Sequence, residues 1–373
     1  MAKGIVEAMG RGPNYYRGLI QEHLASDATR ERYIDQRKSL VRENIRDTAR
    51  FIRSLVPDTS LRAPTEELAT MLHAVLTRDL LPLEVLSMDC SQALGLLDKM
   101  PFMFIPGRYR QVPAFGEFMG GLYNLSGMLD EDGQVERKPD KGRPYVVFAH
   151  WQMIKPLVRE LNRKVDRLLA SADHMTMEEV DDSRRNRRSV NEKTLDTIRD
   201  EKVGTIYWYQ LMRIGIHPYV DYNGRVVRAL AATMLKVHGL VQAYERVISR
   251  FEEGVTREDL VDRPVDADLI EIIRDATIGL LGAPVWLESL DELNAPLGSP
   301  DYQKIFPQIH DAILREISTA TLESISKNPF MEAVMDNLKT VPPSDEPRIG
   351  GDDFTLAMVA SVWGKSGEGR GDG

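Results

Sequence analysis

The sequence predicts a mainly α-helical protein with one small β-hairpin. Three observations carry that expectation. Apolar residues recur at i, i+3, i+4 and i+7 over several long stretches, the period of a helix with one buried face. Proline and glycine gather between positions 101 and 150, around two short runs of β-prone residues. No stretch of 18 or more apolar residues occurs, so none of the helical runs is expected to span a membrane.

Composition narrows the function. The 373 residues, 42% hydrophobic and 28% charged, suffice for a real core in one large or two small domains. Net charge is −9, from 48 basic and 57 acidic residues, which argues against a general nucleic-acid binder. The N-terminal stretch lacks the apolar run of a secretion signal. The single cysteine, Cys90, excludes an intrachain disulfide and a cysteine-based metal site. A reducing, cytoplasmic setting is expected. Met88 and Leu94 beside it make Cys90 an inert thiol rather than a nucleophile.

Taken in order, residues 1–30 are polar and without clear period, and read as a flexible N-terminus. An N-terminal helical region follows at 31–100. Its first helix runs from Tyr33 to Leu55, with Ile34, Val41, Ile45, Thr48, Ile52 and Leu55 along one stripe and Pro57 as its stop. Thr65-Glu66-Glu67 opens the next, with Leu68, Met71, Leu72, Val75 and Leu76 as the apolar face. His73, on that run with no partner histidine at metal spacing, reads as a core histidine. Between 105 and 150 the pattern changes. Arg108 to Val112 and Pro144 to Phe148 read as the two strands of a hairpin, with a turn at Asp130 to Gly133. Trp151 to Leu169 and Leu195 to Arg213 are amphipathic helices. The polar stretch between them holds Arg184, Arg185, Arg187 and Arg188. Acidic residues flank this run and no aromatics interleave, so it reads as a solvated loop. A C-terminal helical region at 246–340 has plausible helices at Ala267 to Leu281 and Tyr302 to Ser326, broken by several prolines. Residues 341–373 read as a flexible tail.

The chemistry concentrates at His217 to Arg228. Pro218 and the Asn223-Gly224 pair make the first part a loop. Val227, Leu230, Ala231, Met234, Leu235 and His238 then mark one helix face, and Gly239 sits where such a helix ends. A loop feeding a helix N-terminus offers free N–H groups and a positive dipole end, an anion site. Arg225 and Arg228, three apart, reinforce it for phosphate. His217 and Asp221 add a base and a carboxylate of the kind that holds a metal.

These residues resemble the signature of the Fic (filamentation induced by cAMP) family, His-Pro-Phe-x-[Asp/Glu]-Gly-Asn-Gly-Arg-x-x-Arg. The histidine, proline, acid, Asn-Gly-Arg and last arginine match in order and spacing. Tyr219 stands for the phenylalanine, and Tyr222 for the first glycine. The resemblance covers about residues 105–240 and implies a Fic-type helical bundle with a β-hairpin flap, the catalytic core lying at 101–245 between extra N- and C-terminal helices. It implies a protein adenylyltransferase that moves AMP from ATP to a Ser, Thr or Tyr hydroxyl of a target protein. His217 would be the general base and Asp221 the Mg²⁺ ligand. Asn223, Gly224, Arg225 and Arg228 would hold the nucleotide phosphates, and Arg110, Gln111 and Val112 of the flap would dock the target. Ser39 to Asn44 is similar to the family's inhibitory helix pattern, which implies a brake in which Glu43, with Ser39, engages Arg228. Tyr222 keeps other readings open: a different phosphate-containing donor such as one supplying UMP or phosphocholine, or a protein that binds nucleotide without transfer. Homo-oligomerisation stays open as well.

Overall fold

The structure, a computed structural model, describes residues 10–55, 64–117, 144–185, 192–252, 285–287 and 290–327. It is mainly helical. The hairpin turn at Asp130 to Gly133, the helix expected at Ala267 to Leu281 and the 341–373 tail lie outside these residues.

The chain departs from expectation near its start. Pro13–His23 is a helix (α1), not a flexible arm. Pro13 sits in the first turn, where its missing N–H costs nothing. Tyr16 and Ile20, four apart, are fully buried, and this one-face pattern anchors the helix on α4 (Cys90–Lys99). The next helix, α2, spans Asp27–Ser54 and begins six residues before the expected Tyr33. Ser26 and Thr29 form its capping box, a start signal ahead of the apolar stripe. Its buried face runs Tyr33, Arg37, Val41, Asn44, Ile45, Thr48, Ala49 and Ile52. Ile34, expected on that face, lies one residue off it and is exposed.

α3 (Glu66–Leu76) starts where Thr65 accepts the Leu68 N–H at 3.1 Å. A 3₁₀ turn at Leu83–Ser87 leads to α4, itself opened by an Asp89–Gln92 capping box. β1 is Phe115–Glu117 and β2 is Pro144–Val147, paired antiparallel with Phe115 opposite Val147. The first strand thus lies beyond Arg108–Val112, because Arg110 is committed to the interior rather than to a ladder. Val285–Trp286 adds β3 on the other side of β2.

α5 (Ile154–Arg185) and α6 (Glu192–Ile216) pack against one another. α5 runs on well past Leu169, through residues expected to be loop. That stretch is polar but rich in good helix formers, and polarity alone does not end a helix.

At the centre is α7 (Asn223–Val237), buried from Val226 to Leu235 on nearly all sides. A helix apolar all round belongs in the interior. It packs against α2, α3, α6 and α8 (Val241–Glu252). It ends as expected at Gly239, whose φ of 69° is easy only for glycine. Gly239 N–H bonds the Lys236 carbonyl and Leu240 N–H the Leu235 carbonyl, the Schellman pair. C-terminal helices α9 (Pro300–Thr319) and α10 (Leu322–Ser326) pack on α5 and α6 respectively. Pro307 sits inside α9 rather than breaking it.

Candidate functional site

Residues 217–222 form the short link between the C-terminus of α6 and the N-terminus of α7. The negative end of one helix and the positive end of the next therefore meet at one loop. Two of its residues, His217 (φ 53°) and Tyr222 (φ 64°), are left-handed. Each such non-glycine residue costs about 1–2 kcal/mol, so other contacts must hold the loop.

Those contacts can be named. Asn223 is 4% exposed; its Oδ1 accepts the Tyr219 N–H at 2.9 Å and its Nδ2 donates to the Tyr219 carbonyl at 2.8 Å. The sequence-predicted phosphate ligand Asn223 is thus the staple that closes the loop. His73 of α3, buried as expected, stacks on Tyr219 with centroids 4.3 Å apart. Its Nδ1 accepts the Gly107 N–H at 2.9 Å, and its ring also bonds the backbone of Asp221. Gly107 must be glycine: its φ is 73°, and a Cβ there would fall 2.3 Å from Thr70 Cγ2. Burial pushes His73 down to about 4, so it stays neutral at pH 7 and keeps one nitrogen as acceptor.

His217 is half-buried as a residue, yet its ring is enclosed. It stacks on Phe148 at 4.3 Å and 25°, and its Nδ1 is shut from solvent without a hydrogen-bond partner. Burial, with the nearby Arg110 charge, pushes the imidazole down to about 3, partly offset by the Ile214 carbonyl. Arg213, one turn back, is fully buried and donates to the hydroxyls of Tyr209 (3.2 Å) and Tyr219 (3.5 Å).

Asp221 is half-buried, and its Oδ1 accepts the Tyr222 N–H at 2.7 Å. Among the described residues no group of three or more His, Cys, Asp or Glu side chains is placed to hold a metal. Tyr222 caps α7 without a side-chain hydrogen bond to the helix, so no cap side chain covers its first N–H groups. Gly224, in the first turn, is exposed. The Tyr222 ring is 7% exposed, and the Arg225 guanidinium lies 4.7 Å from its centroid. Arg228 Nε donates back to the Gly224 carbonyl at 3.2 Å. Beside the loop, a cavity of about 40 Å³ is lined in part by His73, Thr77, Arg108, Asp221 and Tyr222.

Two placements differ from expectation. α2 does pack against α7, but Ser39 and Glu43 point outward. Glu43 is 61% exposed, and its ion-pair partner is Arg78 at 3.8 Å, not Arg228. The helical period explains this: the inward face carries Tyr33, Arg37, Val41 and Asn44, and position 43 lies off it. Arg37, fully buried, is the α2 charge that reaches the Tyr222 environment. Arg110 and Val112 are the second difference. Both are buried, so neither side chain presents a docking edge; Gln111 is exposed. Arg37, Arg213 and Phe148 were not singled out from the sequence. An arginine inside an otherwise apolar helix stripe is the signal that marks the first two.

Comparison of the chain with protein-family models, with curated proteins and with solved structures found no match. No helix among the described residues is long and apolar enough to cross a membrane.

Proposed function

We propose that the chain is a phosphate-transferring enzyme whose site is the α6–α7 junction. More particularly, we read it as a Fic-type protein adenylyltransferase acting on a hydroxyl of a target protein. One observation carries the reading: His217, Asp221, the uncapped start of α7, Arg225 and Arg228 all fall on one loop and the first two turns after it. In this reading the target hydroxyl oxygen attacks the α-phosphorus of ATP, the bond to the β-phosphate bridging oxygen breaks, and pyrophosphate leaves. His217 takes the hydroxyl proton on its neutral ring. The N–H groups of the first α7 turn and the two guanidiniums hold the phosphate oxygens.

Asp221 fits a Mg²⁺ that arrives with nucleotide. One carboxylate oxygen is engaged by the Tyr222 N–H; the other remains, and Mg²⁺ commonly takes a single protein carboxylate besides phosphate and water. Bound there, the ion would neutralise phosphate charge. Proton transfer, phosphate binding and alignment fall to the chain's own residues.

A second reading rests on Tyr222. Its enclosed ring and the Arg225 stack occupy space that the family's glycine leaves to phosphate. A donor other than ATP, or nucleotide binding without transfer, follows if this stack does not yield. Titration calorimetry with ATP and Mg²⁺ separates the cases. The transferase reading expects binding by wild type, at least tenfold weaker binding by Arg228→Ala, and dependence on Mg²⁺ that Asp221→Ala removes. Equal binding by all three proteins would overturn this site.

A further inference from the structure

The residue expected to meet a target protein does something else. Arg110 is 1% exposed and no carboxylate pairs with it among the described residues. Its Nε donates to the His217 carbonyl at 2.6 Å, Nη1 to the Val112 carbonyl at 2.7 Å, and Nη2 to the carbonyls of Ala149 and, at 3.4 Å, Ile216. Its own N–H donates to the Pro218 carbonyl at 3.0 Å.

This pattern has a physical logic. Ile216 is the last residue of α6, and His217 follows it. The last carbonyls of a helix have no partner within it and carry the negative end of its dipole. Arg110 is a cap delivered from elsewhere in the chain, and the carbonyls replace the carboxylate that a buried guanidinium ordinarily needs. It also ties three pieces together: the segment before β1, the segment after β2 that carries Phe148 and Ala149, and the site loop. Phe148, the next residue along from Val147 of β2, stacks on His217 and donates its N–H to the Ala114 carbonyl at 3.0 Å.

We propose that Arg110 is the positioning residue of His217: its guanidinium fixes the histidine's left-handed backbone against the end of α6 and sets the ring against Phe148. Among the described residues Arg110 is the charged group that bears on the imidazole. Phe148 is uncharged, and Arg213 on α6 bonds Tyr209 and Tyr219. Burial first, and the Arg110 charge after it, hold the ring neutral. Its value to the transfer reaction rests on the reading above; the positioning itself does not.

The test is nuclear magnetic resonance on the full chain. In wild type the Arg110 Nε–H should exchange far more slowly than those of exposed arginines, and the His217 ring should stay neutral well below pH 6.5. In Arg110→Met, His217 should titrate about one pH unit or more higher than in wild type, since a like charge nearby is gone. An unmoved titration in folded Arg110→Met overturns the proposal. So does an Arg110 Nε–H in wild type that exchanges as fast as a solvent-exposed one, and this second measurement decides alone if the variant does not fold. Neither readout depends on AMP transfer. Failed transfer with the expected exchange and titration would sink the function and leave the clamp.

Discussion

At the scale of single residues, the loop is held by side chains spent on its own backbone. Asn223 closes Tyr219 to itself through two bonds. Asn223→Ala leaves a buried N–H and carbonyl without partners, each worth about 1–3 kcal/mol. Chemical denaturation should therefore show a loss of about 2 kcal/mol or more, and Asn223→Asp should not restore it, because it lacks the donor for the Tyr219 carbonyl. Tyr222 raises the opposite issue. Tyr222→Gly relieves left-handed strain of about 1–2 kcal/mol but removes an enclosed ring, which is worth more. The variant should be less stable than wild type yet bind ATP more tightly, since Arg225 loses its internal partner. Weaker nucleotide binding by that variant would mean that the ring supports the site rather than filling it.

At the scale of elements, α7 is the scaffold. Its buried surround makes Leu230→Ala a cavity-forming change costing about 2–5 kcal/mol, readable in the same denaturation experiment. The α2–α7 contact carries a different lesson. Ser39 to Asn44 matches an inhibitory pattern in letters, but the period of the helix turns Glu43 away from Arg228 and toward Arg78. Glu43→Gly should leave nucleotide binding unchanged within twofold, as measured by calorimetry. A large gain would show that α2 can rotate or shift to bring Glu43 inward. Helix α7, its Gly239 stop and its apolar face were legible because period and capping are local properties. Helix α1 was missed because its buried pair, Tyr16 and Ile20, is too short a stripe to stand out in a polar segment. The first strand was misplaced because Arg110 looks like a strand residue until the α6 carbonyls that need it are brought near by the fold.

For the whole molecule, His217 and three further buried histidines set the response to acid. His73, His150 and His310 are each pushed down to about 4, first of all by burial. Each bonds its surroundings as a neutral ring: His150 Nδ1 accepts the Gln152 N–H at 3.3 Å, His310 Nε2 accepts the backbone N–H of His150 at 3.1 Å, and His310 Nδ1 meets the Tyr302 hydroxyl at 3.2 Å. Their folded values lie below the unfolded value near 6.5, so between about 6.5 and 4 the unfolded chain binds more protons than the folded one. Stability is thus fully present above pH 6.5 and falls as pH drops through that window, by up to about 1.4 kcal/mol per pH unit for each histidine. Denaturation midpoints at pH 7.5, 6 and 5 should decline in that order; a midpoint flat from 7.5 to 5 would mean these rings are not held neutral. His150 and His310 join the α9 helix to the segment after β2, a long-range pairing with no local signature. The site loop was legible because its residues are contiguous in sequence. Of its supports, His73 was legible as a core histidine; Arg110, Phe148 and Arg37 come from separate elements, and their part in the loop was not legible.

The central claim is that the α6–α7 junction transfers AMP. The direct measurement is intact mass after incubating wild type, Tyr222→Gly and His217→Ala with ATP, Mg²⁺ and a hydroxyl-bearing protein acceptor, the enzyme itself included. The account predicts an AMP adduct with wild type, more with Tyr222→Gly and none with His217→Ala. No adduct with either of the first two, or equal adduct with His217→Ala, would contradict it.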